Sequence, residues 1–145
     1  MILNNMKNSI IFMFSCICLI GFSQTPKIDS LKQIIKLDKA NFETYNTLAW
    51  EFAKKSQKDS LFYYNNISEK FIQGDKESGM YHALNSKYYM IIQNFDKSKE
   101  ETSLSINFAK KVNDYNTLGS AYNTYTNIAN YNGEITKAYE YSKKN

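Results

Sequence analysis

"YNTLAWEF", residues 45–52, decides the reading of this chain because it returns in altered form as "YNTYTNIA", residues 122–129. Setting Tyr45 on Tyr122 gives an offset of 122 − 45 = 77, which also sets Leu61 on Ala138, Phe62 on Tyr139 and Tyr64 on Tyr141. A middle copy fits between them at shifts of 37 or 38, with Phe52 on Tyr89 and Leu61 on Ser98. Half of 77 is then one structural unit. A two-helix unit of about 34 to 40 residues is the signature of stacked helical repeats, in which no unit covers its apolar face alone.

The surrounding sequence supports helices throughout. After residue 23 the only proline is Pro26, and glycine occurs only at 74, 79, 119 and 133. Breakers this sparse favour helix. Within "FETYNTLAWEFAKKS" (42–56), Phe42, Tyr45, Leu48, Ala49 and Phe52 fall on one helical stripe, and Asn41 stands where an N-cap belongs. Upstream, Thr25 as N-cap and Pro26 at the first helical position predict a helix over 26–39, with Ile28, Leu31, Ile34, Ile35 and Leu37 as its apolar face. A further helix opens near Asp59 and stops at "QGD" (73–75), where Gly74 is expected in the left-handed C-terminal position. The pattern then restarts. "ESGMYHALNSKYYMIIQNF" pairs with "DKSKEETSLSINFAKKV", Asn113 and Asp114 make a turn, and a third pair is joined through Asn132 and Gly133. No strand-period segment competes, so an all-α chain is expected. A capping helix (24–40) would precede three units at about 41–75, 76–114 and 115–145.

These residues resemble the tetratricopeptide repeat. That family places an aromatic, then Leu and a small residue three and four positions later, then a second aromatic, and a small residue within the second helix. The first unit reads Tyr45, Leu48, Ala49 and Phe52, with Leu61 where a small residue belongs; the third reads Tyr122, Tyr125, Thr126 and Ala129, with Ala138 in place. The second departs furthest, with Asn85 and Ser86 at the Leu-small pair. The resemblance covers Asn41 to the end of the chain. It implies a right-handed α-α superhelix whose first helices line a concave groove. Carried over residue by residue, the groove positions are Asn46 and Trp50, Ala83 and Lys87, and Asn123 and Asn127, with Lys54 and Tyr131 one turn further along. It implies a non-enzymatic module binding a protein or an extended peptide: amides would bond the peptide backbone, Lys87 would meet a carboxylate, and Trp50 would supply apolar area.

Trp50 fits that role on its own position as well. At ~100° per residue it lies off the core stripe of its helix, which is unusual for so large a ring. Most other aromatics read as core, among them Tyr45, Phe52, Tyr63, Tyr89, Phe108 and Tyr122.

The first 23 residues differ from the rest. Lys7, the apolar run "SIIFMFSCICLI" (9–20) and the small residues Gly21 and Ser23 have the form of a secretory signal peptide, predicting cleavage after Ser23 and an exported, periplasmic or extracytoplasmic protein. The run is short of the ~20 residues a membrane helix needs, so no stable span is expected after cleavage; an uncleaved anchor is the alternative, and Met6 is a second candidate start. Cys16 and Cys18 both lie inside this segment, leaving the exported chain without disulfides, thiolate metal sites or a cysteine nucleophile.

Chemistry finds few residues to work with. The net charge is +4 and every basic residue is lysine; without arginine's bidentate fork, nucleic acid is not the expected partner. His82 is the lone histidine, read as a half-buried helical residue rather than a ligand, so no metal or other cofactor is expected. No nucleophile elbow, phosphate loop or His-Glu-x-x-His occurs. Glu100 and Glu101 are adjacent on a helix and read as surface charges. Two functions from different classes remain. One is the exported binding scaffold. The other, from similarity to exported repeat modules of Bacteroidetes-type sensor and regulatory proteins, is a detached or truncated sensory input domain of a histidine kinase or transcription regulator. At the C-terminal edge Ile128, Ile135 and Tyr139 have no following helix to pack on, so that edge would pair with a second copy or another protein, or the chain is cut from a longer array.

Overall fold

The computed structural model describes residues 26–144. Seven helices and no strands are found among them: α1 (Pro26–Lys36), α2 (Phe42–Lys54), α3 (Lys58–Glu69), α4 (Asp75–Ile91), α5 (Phe95–Lys111), α6 (Tyr115–Tyr131) and α7 (Ile135–Ser142). The proposed signal peptide (1–23) and the Thr25 cap lie outside the described residues. Pro26 opens α1 as expected, but the helix ends at Lys36, three residues early, because Asp38 turns left-handed at φ 55°.

N-cap side chains start three of the six later helices. Asn41 accepts from the Thr44 amide at 3.0 Å, and Asn94 and Asp114 do the same for Lys97 and Thr117. Gly74 corrects the expectation made for it. It is extended (φ −163°) and caps the start of α4, where its amide donates to Glu77 at 3.0 Å, rather than closing α3 in a left-handed conformation.

The helix ends repeat one device. Ser56, Gln93 and Gly133 each adopt positive φ just after α2, α4 and α6. In each case the next amide reaches back five residues, Gln57 to Phe52, Asn94 to Tyr89 and Glu134 to Ala129, at 2.8–3.0 Å. The turns are separated by 93 − 56 = 37 and 133 − 93 = 40 residues, which sum to the offset of 77 read from sequence. Tyr45, His82 and Tyr122 each stand eleven residues before their turn, since 56 − 45, 93 − 82 and 133 − 122 are all 11. Leu61, Ser98 and Ala138 are each the fourth residue of the following helix, and each is buried. Tyr45 and Tyr122 are therefore equivalent, and the middle unit puts a histidine in their place.

From Leu31 onward the chain forms one compact unit. Each first helix packs on its partner (α2 on α3, α4 on α5, α6 on α7), and α2, α4 and α6 also contact one another in succession. Leu48, Ala49, Phe52 and Leu61 are buried in the first pair. Between α4 and α5 several buried side chains are small and hydroxylated: Ser86 and Thr102 share a 2.6 Å hydrogen bond, Ser98 donates to the Ser86 carbonyl, and Ser105 donates to the Gly79 carbonyl. A Cβ on Gly79 would lie 3.3 Å from the Ala109 backbone nitrogen, so the close approach of these helices depends on that glycine.

Three expectations about burial are corrected. Tyr63 is 60% exposed, because α3 already points Tyr64 at Phe52 (5.4 Å, stacked) and its neighbour must face outward. Ile128 is 1% exposed and belongs to the third pair's core, whereas Ile135 and Tyr139 are exposed. Glu101 is not a plain surface charge. It is half-buried, 2.7 Å from His82 Nδ1, and it accepts from Asn85 Nδ2 at 3.3 Å.

Candidate functional site

Because α2, α4 and α6 stand side by side, the register set by their turns aligns residues across them. Six residues before each turn come Trp50, Lys87 and Asn127 (56 − 50, 93 − 87 and 133 − 127). Ten before come Asn46, Ala83 and Asn123, and two before come Lys54, Ile91 and Tyr131. These are the groove positions expected from sequence, Ala83 among them, joined by Ile91.

The most direct contact among them is between Trp50 and Lys87, whose Nζ lies 5.0 Å from the indole centroid. Burial pushes the Lys87 ammonium below the ordinary lysine value of 10.5. A cation on an aromatic face gains roughly 0.5–2 kcal/mol, which offsets part of the desolvation. Asn46 shares the Trp50 face of α2 one turn earlier, is 1% exposed, and has no hydrogen-bond partner for either side-chain atom. An unpaired buried amide costs about 1–3 kcal/mol, and burial keeps Asn46 from presenting its amide on the surface as expected from sequence.

The other residues are arranged differently. Lys54 is exposed and ion-paired to Glu51 at 2.6 Å. Asn127 donates to Asn123 at 2.9 Å on the exposed side of α6. Tyr131 is 64% exposed and packs on Phe95 at 4.5 Å, with its hydroxyl 3.5 Å from Gln93 at the α4–α5 turn.

Sequence reasoning missed a polar chain running through the second pair. Asn65 on α3 donates to Asn85 at 2.7 Å and to the Tyr81 carbonyl; Asn85 donates to Glu101; Glu101 meets His82, which is stacked on Phe108 at 5.4 Å. A signal for it was present. The positions of His82 and Glu101 hold tyrosine in both other units, Tyr45 and Tyr122 for the first and Tyr64 and Tyr141 for the second, so the middle unit carries a complementary polar pair where the others carry two tyrosines. Among the described residues, no three His, Cys, Asp or Glu side chains converge as metal ligands, and no helix is long and apolar enough to cross a membrane.

A cavity of about 230 Å³ lies on the other side of α6, where Tyr125 and Tyr141 stack at 4.9 Å and Lys137 is ion-paired to Glu134 at 3.0 Å. Lys99 lines it as a further cation. Neither a protein-family model, nor a curated protein, nor a solved structure matches this chain.

Proposed function

We propose that this chain is an exported, non-enzymatic scaffold of tetratricopeptide-like helix pairs, wound as a right-handed superhelix, that holds a peptide or protein segment on the face shared by α2, α4 and α6. The observation that carries the reading is the Trp50–Lys87 couple: a large ring and a desolvated cation on adjacent first helices, away from the core. Surfaces that bind peptides combine such an apolar anchor with amides able to bond a backbone, and Asn123 and Asn127 supply amides on the same face. Export is supported by the Lys7, apolar-run and Gly21–Ser23 pattern at the N-terminus.

The test is capture of peptides from an immobilised array by the protein and by Trp50→Ala and Lys87→Ala variants. Capture is expected to fall in both variants while their thermal midpoints stay close to that of the parent. Undiminished capture by both would contradict the assignment.

A further inference from the structure

Lys87 brings a positive charge to this face without a counter-charge. Among the described residues no carboxylate lies within ion-pair distance of it, and its ammonium rests instead on the Trp50 ring. A ring quadrupole replaces a carboxylate only in part. The other lysine in these three rows, Lys54, is already held by Glu51 at 2.6 Å. Asn46, Ala83, Asn123, Asn127, Ile91 and Tyr131 are uncharged. The face therefore offers one uncompensated ammonium, which suits one carboxylate.

Which carboxylate follows from where Lys87 stands. It is on the middle of the three helices, with Trp50 to one side and Asn127 to the other, so an extended segment can continue past it in both directions. A chain ending there would leave half of the face uncovered, and a terminal acidic residue would bring two carboxylates to one cation. Resting on the reading of this face as a peptide-binding surface, we propose that Trp50 and Lys87 anchor a single aspartate or glutamate side chain from the interior of an extended segment, with an apolar neighbour packed on the indole.

Trp50 is the only tryptophan, so tryptophan emission excited selectively over the tyrosines reports on this spot alone. The probes are three short acetylated peptides: one with glutamate between leucines and an amidated end, its glutamine counterpart, and the glutamine peptide with a free C-terminal carboxylate. The glutamate peptide is expected to shift Trp50 emission and to bind at least about tenfold more tightly than either glutamine peptide, a difference of about 1.4 kcal/mol. Its affinity is expected to fall as salt rises. Lys87→Met, which keeps the apolar stem on the ring, is expected to remove the preference, and Lys87→Arg to retain most of it. Equal binding of glutamate and glutamine peptides, a preference for the free chain end, or a preference that survives Lys87→Met would overturn the anchor while leaving the binding face in place. Failure of all three peptides to bind would overturn both.

Discussion

In the second helix pair Asn85 on α4 donates to Glu101 on α5; forty residues later the same two positions hold Tyr125 and Tyr141, stacked at 4.9 Å. One period of backbone thus accepts either a directional polar contact or an aromatic one. What the pairs keep in common lies elsewhere: a left-handed residue closing the first helix, and a small buried residue early in the second, Ser98 in one and Ala138 in the other. Both versions reach the preceding pair, but by different means. Asn85 ties the second pair to the first through a part-buried bond from Asn65 on α3, whereas the Tyr125 hydroxyl, at an exposed position, shares a 2.6 Å hydrogen bond with Ser103 and donates to the Lys99 carbonyl on α5. Hydrogen bonds join neighbours only at fixed distance and angle, so the second pair should be the less tolerant of change.

The largest expected effect is at Gly79→Leu. A side chain there meets the Ala109 backbone, which cannot move without separating α4 from α5, and the loss should be about 3 kcal/mol, read as a lowered urea midpoint. A midpoint within error of the parent would show that the close approach of these helices is not essential. Next comes the contrast between the two seams. Glu101→Ala strips partners from both His82 and Asn85 and should cost about 2 kcal/mol, while Tyr141→Ala removes one partly exposed stacking contact and should cost about 1 kcal/mol. Equal losses would remove the distinction drawn between the pairs.

The shared turns predict a smaller effect of opposite sign in the two pairs. Gln93 holds a positive φ of 60° with a side chain, and Gly133 holds 73° without one. Gln93→Gly should therefore stabilise, and Gly133→Ala destabilise, each by about 1 kcal/mol in thermal or urea unfolding.

The smallest effect concerns pH. Since the Lys87 ammonium is held below 10.5, the folded protein gives up this proton before the unfolded chain does. Its contribution to stability rises with pH between the folded value and about 10.5. Tyr64 and Tyr81, raised above 10.0 mainly by burial, act in the opposite direction, because the unfolded chain loses those protons first and stability falls above about pH 10. Lys87→Met should remove only the rising part, so its advantage over the parent should shrink as pH climbs. An advantage that is flat with pH would mean that the Lys87 charge is not opposed by its surroundings.

Much of the helical framework was legible because local chemistry specified it. Asn41 could only usefully be a cap, Leu48, Ala49, Phe52 and Leu61 kept helical spacing, and the 77-residue echo reappears as the separation of the Ser56 and Gly133 turns. What escaped depends on contacts between distant residues. Glu101 looks like a surface charge until His82 and Asn85 are found facing it from α4. Gly74 could close one helix or open the next, and only Glu77 reaching back to its amide decides between them. For the candidate site, sequence placed Trp50 and Lys87 on one face, but not in contact, and gave no sign that Asn46 would be buried without a partner.

The most direct test of the proposed binding face is a two-dimensional amide spectrum of the protein recorded while the internal-glutamate peptide is added. The Trp50 indole N–H and the side-chain amides of Asn123 and Asn127 are each visible in such a spectrum and lie on the face formed by α2, α4 and α6. These signals should shift together and saturate with one affinity. Shifts confined to Tyr125, Lys137 and Tyr141 around the cavity beside α7, with the Trp50 signal unmoved, would contradict the account.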